Sequence, residues 1–176
     1  MLPISLTIEG IYSYQQRQHI DFSHLTSAGL FGIFGAVGAG KSSILEAITY
    51  ALYGETERLN KADKRGYNMM NLKSNHIYIE FEFFNFENRQ LRVVREFKRN
   101  SKKFEDVRTP TVQFYEKEGE QWRPLEQANP QELIGLSYHN FKRTIIIPQG
   151  QFKEFLELGA KDRNEMMKEI FNLQKF

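Results

Sequence analysis

Leu30-Phe31-Gly32-Ile33-Phe34-Gly35-Ala36-Val37-Gly38-Ala39-Gly40-Lys41-Ser42-Ser43 is the stretch on which the fold turns. Its first five residues form a short apolar run with too little polarity for a half-wet strand, so a strand buried on both faces is expected there. From Lys41 the period changes. Ile44, Leu45, Ile48, Ala51 and Leu52 recur at helical spacing, which predicts an amphipathic helix with one apolar stripe, and Gly54 is its natural stop.

Between strand and helix stands G-x-x-x-x-G-K-S, with glycines at 35, 38 and 40. Glycines let the backbone turn successive N–H groups inward around an anion, and a following helix adds the positive end of its dipole. Lys41 can reach the β and γ phosphates of a nucleoside triphosphate as a point charge, the Ser42 hydroxyl can ligate Mg²⁺, and Ser43 can touch a nearer phosphate. With glycine near 7% of residues, a chance match occurs in roughly one chain of this length in a hundred. The flanking strand and helix patterns lower that further.

Outward from the motif, Ile4, Leu6 and Ile8 alternate with polar residues, and Ile20 and Phe22 repeat the pattern, a two-stranded opening. Residues 55–75 are polar, basic in places (Arg58, Lys61, Lys64, Arg65, Lys73) and weakly periodic, so a long loop is expected. Strand signals return at 76–84, 90–97 and 111–115, an antiparallel sheet wet on one face. The aromatics Phe81, Phe83, Phe84 and Phe86 fit a sheet core before a stacking platform for bases. Short helices are expected at 130–134 and 138–143, a strand at 144–147 ended by Pro148, and two closing helices. The second of those starts at a capping box of Asp162 and Glu165.

The chain has 176 residues, 40% of them hydrophobic and 26% charged, with a net charge of +2. That composition is globular, and bulk charge says nothing about nucleic acid. It has no cysteine, which excludes disulfides and thiolate metal sites and suits a reducing compartment; the cytoplasm is the expectation. No apolar run reaches membrane-spanning length, so no membrane association is expected. His19, His24, His76 and His139 are scattered without metal-ligand spacing. The turn Lys98-Arg99-Asn100-Ser101-Lys102-Lys103, flanked by Arg92, Arg95 and Arg108, can be read as a contact for DNA phosphates or as a solvated hairpin tip.

Hydrolysis also needs an acidic residue closing a second buried strand. Asp21, Asp63, Asp106 and Asp162 all lack such a strand, so the phosphate cradle stands without its catalytic carboxylate. Either that group lies elsewhere in a longer polypeptide or the chain binds without chemistry.

Residues 30–59, which close Ala51-Leu52-Tyr53-Gly54-Glu55-Thr56-Glu57-Arg58-Leu59, resemble the SbcC family of DNA-repair ATPases, relatives of the chromosome-condensation (SMC) proteins. Ile147-Pro148-Gln149-Gly150-Gln151-Phe152 is similar to that family's Q-loop, about a hundred residues beyond the P-loop, and 163–171 resembles the lead-in to its coiled coil. The resemblance implies a mixed α/β fold, the N-terminal lobe of an ABC-type head over residues 1–159, and the start of a coiled-coil helix over 160–176. A C-terminal lobe would supply the signature motif and the missing acid, so this segment alone would be inactive.

The family further implies ATP and Mg²⁺, a second head in a homodimer, an SbcD-type nuclease subunit and double-stranded DNA ends. Gln149 would contact Mg²⁺ and the attacking water, and a neutral amide that both donates and accepts suits that role. Family P-loops carry Pro and then Asn or Thr where this chain has Ala36 and Val37, so a polar contact across the dimer is in doubt here. Rival readings are an SMC-type DNA-tethering module gated by nucleotide and a compact P-loop kinase.

Overall fold

The computed structural model describes residues 1–26, 32–56 and 66–144, together with 159, 161, 162 and 164. Contacts divide the chain into two units, Met1–Ala128 and Asn129–Phe176. The first is built on one six-stranded sheet of β1 (Leu2–Glu9), β2 (Gln18–Asp21), β3 (His76–Phe84), β4 (Gln90–Lys98), β5 (Thr111–Glu118) and β6 (Gln121–Leu125). Its spatial order is β2-β1-β3-β4-β5-β6, with every neighbouring pair antiparallel.

Strict alternation fixes the register. Ile77, Ile79, Phe81 and Phe83 of β3 are fully buried, and across the ladder they face Phe97, Arg95, Val93 and Leu91 of β4. A one-residue slip would move all of these to the wet face. Leu6 and Ile8 of β1 continue the buried row opposite Phe81 and Ile79. Phe81 and Phe83 stack with ring centroids 5.2 Å apart, so these two serve the core, whereas Phe86 lies 45% exposed in the β3–β4 turn.

A short helix, α1 (Ser23–Thr26), and a longer one, α2 (Lys41–Tyr53), complete this unit, and α2 packs on β3 and β4 through Tyr50, Ala51 and their neighbours. Gly54 ends α2 at φ 71°, the left-handed geometry expected of a helix stop. Leu45, predicted on the apolar stripe, is instead 45% exposed; the buried stripe runs Ile44, Ala47, Ile48, Ala51 and Leu52. Ile44 and Ala51 seat the helix one step round from Leu45.

The buried strand expected at residues 30–34 is not found in the described part. Gly32, Ile33 and Phe34 belong to no element, with Ile33 42% and Phe34 93% exposed. A doubly buried strand needs a neighbour at each edge. The described sheet ends at β2 and β6, and no further described strand stands beside this run.

The predicted loop at 55–75 is not structureless. A 3₁₀ turn covers Gly66–Met69, and Met69 and Met70 are buried, anchored where Tyr12 N–H donates to the Met69 carbonyl at 2.7 Å. Strand β6 went unpredicted. It follows a two-residue hairpin loop with Gly119 at φ 60° in its first position, and Pro124 marks it as an edge strand.

In the second unit, α3 (Pro130–Ile134) is capped by Asn129, whose side chain accepts from the Gln131 N–H, and α4 covers Tyr138–Thr144. Thr144 therefore ends a helix and does not begin a strand; 145–147 lie outside the described residues. Lys161, Asp162 and Asn164 are helical, so Asp162 sits within the helix and does not cap it. Among the described residues no helix is long and apolar enough to cross a membrane.

Candidate nucleotide site

Gly38 (φ 84°) and Gly40 (φ 87°) both sit in the left-handed region, so the backbone reverses twice within three residues. Any side chain at 40 would meet Ser13 Oγ at 2.7 Å, whereas one at 38 would meet nothing within 4 Å. Gly40 is thus pressed against protein while the loop is open above Gly38. Gly40 is also the N-cap of α2 and supplies no side-chain cap. The first-turn N–H groups of α2 consequently lack a capping side chain and form the positive end of a 13-residue helix.

Lys41 curls back over the loop. Its Nζ donates to the carbonyls of Gly35 and Ala36, both at 2.8 Å. The ammonium is therefore folded back onto residues 35 and 36, held by two neutral acceptors that an anionic oxygen outcompetes, because hydrogen bonds to charged acceptors are about twice as strong. Ser42 is exposed and Ser43 is half-buried, its N–H bonded to the Gly40 carbonyl at 3.1 Å. Val37 is fully exposed at the loop tip and Ala36 and Ala39 are exposed beside it. All of residues 35–43 thus converge on one loop-and-helix corner. Gln149 lies outside the described residues.

The sequence reading missed the buttress behind this loop. In the β1–β2 connection, Tyr14 Oη donates to the Gly40 carbonyl at 3.3 Å, and Tyr12 Oη donates to the Glu46 carboxylate on α2. Burial raises the Tyr14 phenol above its ordinary value, which keeps it a donor at neutral pH. Tyr12 holds φ 47°, and the Asn71 amide donates to its carbonyl at 2.6 Å. These tyrosines stand more than twenty residues before the P-loop in sequence. The one local clue was Gly10 (φ 72°), where a side chain would collide with the His76 carbonyl.

The basic turn divides into two kinds of cation. Arg92 pairs with Glu82 at 2.6 Å and stacks over Trp122 at 4.0 Å. Arg95 is buried against the Ala51 carbonyl, and Arg99 is buried, donating to the Asn71 and Leu72 carbonyls. Those three are spent on the fold. Lys98, Lys102, Lys103 and Arg108 are exposed and form no ion pair among the described residues. Lys98, Arg99 and Arg108, with His76, Asn100 and Asp106, line a hollow of about 720 Å³. Among the described residues no group of three or more His, Asp or Glu is placed to hold a metal ion.

A phosphate-cradling loop that opens a helix laid on a sheet defines a P-loop nucleotide-binding domain. The family model described as an AAA domain matches residues 5–176, and the chain belongs to that family. It is 40% identical over its whole length to the C-subunit of the SbcCD nuclease of Clostridium acetobutylicum and 38% identical over its whole length to that of Bacillus subtilis, covering 15% and 16% of those proteins. It is also 35% identical over 98% of its length to a probable DNA double-strand break repair Rad50 ATPase of Aquifex aeolicus, of which it covers 16%. The chain therefore spans about a sixth of the length of these relatives. The mixed α/β architecture with an antiparallel sheet is consistent with the N-terminal ATPase lobe of SbcC/SMC-type proteins.

Proposed function

We propose that this chain is the ATP-binding lobe of a split ATPase head. Joined by a C-terminal lobe and a second head, it hydrolyses ATP to regulate a nuclease subunit that processes DNA ends in the cytoplasm. The observation that carries the reading is the corner of residues 35–43: left-handed Gly38 and Gly40, an uncapped α2 N-terminus, and Lys41 Nζ poised over the loop. The residues fit a Mg²⁺-bound triphosphate. Backbone N–H groups of the loop and Lys41 hold the β and γ phosphates, and the exposed Ser42 hydroxyl is the metal ligand. Mg²⁺ supplies charge neutralisation on the phosphate oxygens. Gln149 orients the attacking water, and the acid that completes hydrolysis comes from the C-terminal lobe.

The names of the relatives, a nuclease subunit and a double-strand break repair ATPase, support the assignment to DNA-end processing. The exposed cations Lys98, Lys102, Lys103 and Arg108 support contact with DNA phosphates at the β4–β5 turn, because the fold does not consume them. Ala36 and Val37 give the P-loop tip an apolar rim, so a second head would cap it through apolar contact.

ATP turnover tests the reading. The full-length protein with its nuclease partner should hydrolyse ATP, and Lys41→Ala should cut kcat by about a hundredfold or more, the scale of losing a preorganised electrostatic contact. The 176-residue chain alone should turn over almost none. Turnover by the chain alone at the rate of the intact complex would contradict the split head.

A further inference from the structure

Arg95 is a buried cation with no carboxylate partner among the described residues. It occupies the core face of β4 opposite Ile79, is 8% exposed, and is held by a carbonyl and a ring. Nε and Nη2 both donate to the Ala51 carbonyl at 3.2 Å, and the guanidinium lies 5.3 Å over the Tyr50 ring. Nη1 stands 3.0 Å from where a side chain on Gly54 would begin, so Gly54 leaves room for it. Burial lowers the Arg95 pKa, the mark of a charge held away from water. Arg89 and Arg92, also at the sheet, each have a glutamate partner.

A buried charge without a counter-ion is costly, and a methionine of similar length would fill the same volume more stably. The compensation available to Arg95 is the negative end of α2, where the last-turn Ala51 carbonyl accepts from it. That helix is about 20 Å long, and its other end is the phosphate cradle. Arg95 thus ties the far end of the P-loop helix to the middle of β4, and β4 pairs along its whole length with β3.

We infer that Arg95 is a positioning residue that makes α2 and the sheet one mechanical body, so that phosphate bound at residues 35–42 is felt in β3 and β4. This rests on the nucleotide reading above. Without the tie, the cradle would still take phosphate, but the sheet would not respond.

Hydrogen exchange of the chain with and without Mg²⁺ and ATP tests it. In the wild type, nucleotide should slow exchange in the P-loop and α2, and also by about fivefold or more in 77–81 and 93–97, the usual size of an allosteric coupling. Arg95→Met should keep the P-loop effect, with ATP affinity within about threefold, a change too small to mean that a phosphate ligand is gone, and should lose the sheet effect. Its melting temperature should be equal or higher. Arg95→Lys, which keeps the charge and one donor, should restore part of the sheet effect; it also serves if the methionine variant fails to fold. Sheet protection that persists in Arg95→Met, or is absent in the wild type while the P-loop is protected, overturns the inference alone. No protection anywhere in the wild type overturns the nucleotide reading too.

Discussion

At the scale of single residues, the chemistry here is one of donors placed before their acceptor. Lys41 rests on two carbonyls, and Gly40 takes a geometry that a side chain at that position would strain. The proposed cradle at residues 35–43 could be picked out in the sequence because a phosphate cradle needs its glycines, lysine and serine at fixed spacing within one turn. Tyr12 and Tyr14 were not legible, because β-sheet pairing brings their loop to the P-loop and no short-range pattern encodes that. The sheet also carries a pH-sensitive pair. Arg89 donates to both Glu116 oxygens at 2.6 and 2.5 Å, and its hydrogen bonds hold the Glu116 carboxyl below its ordinary value. The unfolded chain then binds the proton more readily, so the pair's contribution is present above the ordinary glutamate pKa and is lost as pH falls through the lowered one. Glu116→Gln should lower the melting temperature slightly at neutral pH, as expected for a partly exposed pair. It should also flatten the loss of stability below about pH 4.3. Parallel melting curves for the two proteins from neutral to acid pH check both.

At the scale of elements, period alone carried β1, β3, β4 and α2, since each has a buried face that alternation or a helical stripe announces, whereas β5 buries only Phe114. It failed at Leu45 because an apolar stripe does not say which of its margins meets the sheet. It failed at residues 32–34 because an apolar run signals burial without naming what buries it, and Ile33 and Phe34 are exposed among the described residues. Gly54 is the helix stop whose replacement is most informative. It holds φ 71°, and a side chain there would meet Arg95 Nη1 at 3.0 Å, so Gly54→Ala both strains the backbone and displaces the guanidinium. It should cost about 1–2 kcal/mol or more, read as a lower midpoint in urea with an unchanged slope. A neutral effect would mean that the helix end tolerates a different stop.

Across the whole molecule, the charges sort by use. Arg89 and Arg92 are paired and Arg95 is buried, while the exposed cations of the β4–β5 turn form no ion pair among the described residues. Lys102→Glu with Lys103→Glu should weaken DNA binding by the full-length protein and reduce the salt slope of log K by about 0.9 for each phosphate no longer neutralised; an unchanged affinity and slope would mark the turn as a solvated tip. Bulk composition could not have located this patch, because the net charge of +2 averages it away. The central claim is simpler and rests on the corner at residues 35–43. Titration of the chain with Mg²⁺ and ATP in a calorimeter measures it directly: saturable binding of one equivalent, weakened at least about tenfold, or roughly 1.4 kcal/mol, by Lys41→Ala in a chain that still melts cooperatively, is the predicted result. Equal affinity in the two proteins, or no binding by the wild type, would contradict it.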